Sequence, residues 1–209
     1  MRKNLLRQLT LALLLTAAVP TLTAQVHVGD ILCEGNAIIS PANYPSSGAT
    51  AIGVVFYVDN TGQHGWAVAL ENSGNYNWSG DGDYPLPDYT NQRQAIQDLD
   101  GYENTRIMRE NSSNHPAFDA VDFANGWYLP AIGQLNYLYG NIIEVNAGLN
   151  LANGTSLTGR YWSSTEYDYY HAWYLELSGN LGYLGDNNIG NGYYNSKRSY
   201  RLVRAARNF

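Results

Sequence analysis

With one cysteine, Cys33, among 209 residues, the chain has no internal disulfide available. A domain of this kind rests on its apolar core, and a lone thiol reads first as a small buried hydrophobe and only second as a reactive group. Positive charge is also scarce, with twelve Lys and Arg against eighteen Asp and Glu. An acidic surface repels phosphate backbones, which argues against nucleic acid as a partner. No apolar run has the roughly 20 residues of a membrane helix. The longest, LTLALLLTAAVPTL at 9–22, is broken by Pro20.

Catalytic and metal signatures are missing as well. There is no phosphate-cradling glycine motif. WSSTEY (Trp162–Tyr167) lacks the G-x-S-x-G elbow of a serine nucleophile, so its hydroxyls are expected to cap a turn on a strand. His64, His115 and His171 stand singly in three different contexts, a weak basis for a metal site. DGDYPLPDY (Asp81–Tyr89) and DLDGYEN (Asp98–Asn104) gather carboxylates near glycine without the glycine and terminal glutamate of an EF-hand loop. No metal, no cofactor and no enzyme activity is expected.

The N-terminus does carry a signal. MRKNLLRQ has three positive charges and no acid; the apolar run follows, and then the small-residue site T-L-T-A. This reads as a secretory signal peptide at 1–24, cut after Ala24, with an N-terminal membrane anchor as the alternative. Cleavage removes Arg2, Lys3 and Arg7 and leaves nine basic against eighteen acidic residues, a net charge near −9. Residues 25–209 suit one domain with a real core and no remaining membrane span. The expected location is secreted: periplasm, cell surface or outside.

Along the mature chain, AIGVVFYVD (Ala51–Asp59) and HGWAVAL (His64–Leu70) flank the turn NTGQ and read as a β-hairpin. Glu71 to Tyr89 reads as a long loop. Asn91–Asn111 has helical character, with Gly101 as its break. His115–Phe123 begins a helix on Pro116, and GWYLP (Gly126–Pro130) is extended. Ile132, Leu135, Leu138 and Ile142 recur at helical spacing after Pro130. Short strands are expected at Tyr161–Thr165, Ala172–Leu177 and Tyr200–Ala205. Strands, then helices, then strands make an α+β domain.

The closing YRLVRAARNF (Tyr200–Phe209) holds Arg201, Arg204 and Arg207. A regular strand would mix arginine with apolar residues on both faces. At least one guanidinium is then partly buried and needs a carboxylate or carbonyl partner. Glu166 is the candidate partner for Arg204.

Taken in order, GDILCEG, AIGVVFYVD, HGWAVAL, DLDGYENT, GWYLPAIGQLNYLY, YWSSTEY…AWYLEL and YRLVRAAR resemble the secreted bacterial domain named for the C-terminal domain of the Legionella collagen-like protein. The resemblance covers essentially the whole mature chain. It implies a C-type-lectin-like fold, with two main helices, a small twisted antiparallel sheet and long loops. It also implies an adhesive or ligand-binding role. The tail from Tyr161 further resembles the variable region of retroelement-diversified proteins, in which mutated asparagine codons cannot become Lys, Gln, Glu, Met or Trp. None of those five occurs between Leu177 and Ser196. Trp173, Glu176, Lys197 and the arginines would be fixed scaffold; a tyrosine-rich loop without diversification is the plainer alternative.

Nine of the eighteen tyrosines lie between Tyr161 and Tyr200, among many Asn and Gly. Tyr supplies flat contact area with few torsions to freeze, and Gly, Ser and Asn supply adaptable hydrogen bonding. Residues 161–196 are therefore the expected ligand-contact region. Its contact residues are Tyr167, Asp168, Tyr169, Tyr170, His171, Tyr174, Tyr183, Asp186, Asn188, Tyr193 and Tyr194. Trp127, Trp162, Glu166, Trp173 and Arg204 are the structural residues behind it. The ligand is a protein or a carbohydrate. A pilus or matrix subunit whose tyrosine face packs another copy is the alternative.

Overall fold

The computed structural model describes residues 25–80, 82, 84–111, 114–177 and 192–209. The expected signal peptide, Tyr183, Asp186 and Asn188 lie outside the described residues, as do Asp81 and Asp83 of the carboxylate-rich loop. In chain order the elements are β1 (Ile31–Cys33), β2 (Ile38–Ile39), α1 (Tyr44–Ser47), β3 (Ala51–Val58), β4 (Gly65–Ala69) and β5 (Gly74–Asn77). Then come α2 (Gln92–Ala95), α3 (Gly101–Asn111), α4 (Pro116–Asp119), β6 (Trp127–Tyr128), α5 (Ile132–Gly140) and α6 (Ile142–Leu151). The chain closes with β7 (Gly159–Glu166), β8 (His171–Leu177), β9 (Gly192–Ser196), β10 (Tyr200–Val203) and β11 (Ala206–Asn208).

The β-branched and aromatic run of β3 pairs antiparallel with β4, as the hairpin pattern predicts. The two strands sit inside a six-stranded sheet ordered β2-β1-β3-β4-β11-β6. A second sheet is ordered β5-β10-β7-β8-β9. Its β10–β7 pair is parallel, and its other pairs are antiparallel. The α+β class holds. The single small antiparallel sheet with two main helices does not, since the described residues form two sheets and six α-helices.

Strands β7 and β8 are buried on both faces. Tyr161, Trp173 and Leu175 join the core shared with α5, α6 and the first sheet. Trp162, Ala172 and Tyr174 join a second core with Trp78, Met108, Phe118 and Val203. A strand with two apolar faces loses the polar alternation of a half-exposed one, which is why YWSSTE and AWYLEL carry so few charges.

The elements differ from the sequence reading at Gly101 and within 71–89. Gly101 starts α3 instead of breaking a longer helix. Asp100 Oδ1 accepts the Glu103 amide as the N-terminal cap (3.0 Å). A Cβ on Gly101 would lie 2.5 Å from Gln134 Oε1 and 2.6 Å from Leu129 O, so only glycine fits this approach. Buried Gln134 ties the two helix starts together, its Oε1 accepting the amides of Gly101 (3.2 Å) and Ala131 (3.0 Å). The predicted loop at 71–89 contains β5, which exists through its pairing with β10; its Gly-Asn-Tyr-Asn sequence has little strand preference of its own.

The closing arginine segment is two strands. After Val203, opposite Gly74 of the second sheet, the chain crosses and places Ala206 opposite Val68 and Tyr128 of the first. Arg204 sits at that crossing and is buried.

Candidate ligand-contact surface

The turn between β7 and β8 is closed by one carboxylate. Asp168 Oδ1 accepts the amides of Tyr170 and His171, both at 2.8 Å, and meets His171 Nδ1 at 2.8 Å. Aspartate closes turns in this way because its short side chain reaches the backbone two residues on. Partial burial pushes the Asp168 pKa up, but the two amides and the imidazole outweigh it and hold the carboxyl below its ordinary value. Asp168 thus shapes the turn.

Beneath the turn lies Lys197, fully buried. Its ammonium donates to Glu166 Oε1, to Gly82 O (2.9 Å) and to Tyr169 O (3.0 Å), three acceptors for three protons. The rings of Tyr84 and Trp78 face the same charge at 4.8 and 5.2 Å. The Lys197 backbone amide donates to Tyr170 O (2.9 Å), and its carbonyl accepts from Trp78 N (2.8 Å). One residue therefore holds the 78–84 segment, the tyrosine turn and the end of β9 together.

This corrects the expected Glu166–Arg204 pair. The register of β9 on β8 sets Ser196 opposite His171, so the next residue reaches Glu166. Arg204 is carried away by the crossing between sheets. There Nη1 donates to Asn72 Oδ1 (3.0 Å) and Nη2 to Thr155 O (2.6 Å). Burial presses the Arg204 pKa below the ordinary arginine value, against the opposing pull of Tyr161 and Glu71.

The tyrosines divide into two groups. Tyr169 is 41% exposed, Tyr170 56%, Tyr193 47% and Tyr194 50%. Tyr167 is half-buried and stacks on Tyr194, with ring centroids 3.8 Å apart; the His171 ring stands edge-on to both. Tyr174 departs from the expected contact set. It is buried under the guanidinium of Arg201, 4.6 Å from its ring centre, and packs edge-on against Trp162.

The expected structural residues also separate. Trp162 is fully buried and donates its indole N–H to Tyr76 O (2.9 Å). Trp173 is buried and donates to Tyr89 O (2.7 Å). Trp127 is only half-buried, with the Arg207 guanidinium over its ring. The hydroxyls of WSSTE are committed to the frame. Ser163 Oγ donates to Trp173 O (2.8 Å) and Thr165 Oγ1 to Asp98 Oδ2 (2.7 Å). Asn104 Nδ2 donates to both Asp98 Oδ2 (2.9 Å) and Ser164 Oγ (3.1 Å). Burial pushes the Asp98 pKa up, and these hydrogen bonds only partly offset it.

Between the turn, β9 and the segment before α2 lies an open cleft of about 530 Å³. Tyr167, Trp173, Tyr193 and Tyr194 line it together with Thr90 and Gln92. Tyr167, Tyr193 and Tyr194 were expected contacts from the sequence, and Trp173 was expected as a structural residue. Thr90 and Gln92 were not expected, because long-range bonds at Tyr89, its amide donating to Glu166 O (3.2 Å) and its carbonyl accepting from the Trp173 indole, bring their segment to the site. Among the described residues no three His, Cys, Asp or Glu gather as a metal site, and no helix is long and apolar enough to cross a membrane.

No protein-family model matches the chain, and no curated protein matches it. In structure it is similar to a fimbrial protein from Bacteroides ovatus, with a TM-score of 0.63 and 15% sequence identity. The match covers 88% of this chain and 49% of that one, so the chain spans about half the length of that protein. At this identity the likeness is one of fold.

Proposed function

We propose that this chain is a binding module displayed outside the cytoplasm, with the exposed tyrosines of the 167–171 turn and β9 as its contact surface. One observation carries the reading. Lys197 grips the backbone carbonyls of Tyr169 and Tyr170, while their side chains are exposed. The backbone is fixed and the rings are presented, the arrangement that limits the entropy lost when a flat aromatic surface meets a ligand. The motif order of the Legionella-type domain supports an adhesive role and a C-type-lectin-like fold; family membership and fold name belong to this proposal. No catalytic role is assigned.

Retroelement diversification belongs here too. The rings at 169 and 170 are exposed and pack edge-on against each other, so substitution there is expected to cost the fold little. A near-copy of the 161–209 coding segment beside a reverse transcriptase, differing at adenines, would establish it; a flanking sequence with neither would reject it.

A second reading, a subunit of a surface assembly, draws on the likeness in fold to a fimbrial protein. Light scattering of purified 25–209 separates the two. A binder keeps one mass across a wide concentration range, and an assembly subunit grows with concentration.

The contact surface is tested with printed extracellular proteins and glycans. The double variant Tyr169→Ala/Tyr170→Ala is expected to lose at least tenfold in affinity for whatever the parent retains, equivalent to about 1.4 kcal/mol. Unchanged binding by the double variant would remove the surface from the account.

A further inference from the structure

We infer that the cleft between β9 and the 89–92 segment receives the ring of an uncharged sugar, a reading that rests on the proposed contact surface and gives it a ligand class. The lining is the first argument. All six residues are uncharged, in a chain whose mature part carries a net charge near −9. An anionic ligand would meet the overall field with no cation in the cleft to offset it. Of the two carboxylates flanking Tyr167, Asp168 is already held by two amides and an imidazole, and Glu166 by the Lys197 ammonium.

The second argument is the pairing of chemistries. Tyr194 is half exposed, and its ring is held by stacking on Tyr167, which lines the cleft with it. A stacked, exposed ring offers a flat apolar face to the C–H side of a pyranose. Thr90 and Gln92 bring a hydroxyl and a primary amide to the same cleft. Neither side chain has a hydrogen-bond partner among the described residues. Together they hold donors and acceptors of the kind that sugar hydroxyls need. A cleft of about 530 Å³ is in the range of small-ligand sites.

The third argument is preorganisation. Trp173 N–H holds Tyr89 O at 2.7 Å, and Asn91 Oδ1 caps α2 by accepting the Arg93 amide at 2.9 Å. The Thr90–Gln92 wall is therefore set before a ligand arrives, which reduces the cost of binding. Among the described residues the lining holds no carboxylate of the kind calcium takes as ligand, so calcium-independent binding is the expected behaviour.

The test is a printed array of glycans ending in mannose, glucose, galactose or N-acetylglucosamine, beside sialylated and sulfated ones. Titration calorimetry of a responding neutral oligosaccharide follows, against the parent, Gln92→Ala, Tyr194→Ala and Tyr169→Ala/Tyr170→Ala. Neutral glycans should bind equally with and without EDTA, and Gln92→Ala and Tyr194→Ala should each weaken binding about tenfold or more. Binding confined to charged glycans, or neutral binding untouched by both cleft variants, overturns the sugar cleft. Array-wide silence toward glycans, with binding to a printed protein abolished by Tyr169→Ala/Tyr170→Ala, overturns the cleft and leaves the contact surface standing. Glycan binding lost in the cleft variants but kept in the Tyr169/Tyr170 variant supports the cleft and contradicts the wider surface.

Discussion

At the scale of single residues, the charge on Lys197 is the feature on which the display depends. Its three donors are matched by one carboxylate and two carbonyls, all away from water. Removing one partner of such a pair leaves the other charge buried and uncompensated. Lys197→Met should cost about 3–5 kcal/mol of unfolding free energy, and adding Glu166→Leu should recover part of that loss. Urea denaturation of the single and double variants measures both; a single-variant loss below about 1 kcal/mol would show the pair to be solvated. The sequence placed Lys197 in the scaffold and Glu166 among the structural residues, yet it mated Glu166 with Arg204. The true pair depends on the register of β9, which Gly-Tyr-Tyr-Asn-Ser does not specify.

Asp98 supplies a second prediction at this scale. Burial raises its folded-state pKa above the unfolded value of about 3.9, so the folded form binds the proton more tightly. Its contribution to stability is fully present below that value and is lost as pH rises through the folded pKa. Asp98→Asn cannot titrate. The stability of the parent relative to Asp98→Asn should therefore fall as pH rises above about 3.9, read from urea midpoints. A difference that grows with pH would contradict the buried, raised carboxyl. Asp168 has the opposite sign, since its pKa is lowered: its contribution is present above the unfolded value and fades in acid.

Among the elements, the last ten residues decide how the two sheets are joined. β10 belongs to the second sheet and β11 to the first, and Arg204 satisfies the crossing through Asn72 and Thr155. A lysine cannot reproduce that two-pronged reach. Arg204→Lys should lose about 1.5–3 kcal/mol on denaturation, the scale of a hydrogen bond to a charged group, and should leave ligand contacts intact. An unchanged midpoint would mean that the crossing is held by backbone bonds alone. The hairpin β3–β4, the helix after Pro130 and the strands β7 and β8 were legible because periodicity and β-branching are local signals. β5, the split of the arginine strand and the start of α3 at Gly101 were not. Each depends on a partner far along the chain, such as β10 for β5 and the α5 start for Gly101.

For the whole molecule, the structure separates a frame from a display. Strands β7 and β8, buried on both faces, carry the tyrosine turn at one end. Composition pointed to a contact surface in this region, and most of its described tyrosines are exposed. Tyr161 and Tyr174 are buried and Tyr167 is half-buried; strand alternation turns Tyr161 toward the first core and Tyr174 toward the second. Thr90 and Gln92 escaped the sequence because nothing local marks them.

The central claim is that Tyr169 and Tyr170 are presented by the frame and do not help to build it. Thermal unfolding of Tyr169→Ala/Tyr170→Ala tests this without knowledge of the ligand. For a domain of this size, 1 kcal/mol shifts Tm by about 2–4 °C. The account predicts a midpoint within about 2 °C of the parent, since both substitutions keep the backbone bonds to Lys197. A fall of about 5 °C or more would make the two rings part of the fold and contradict the account.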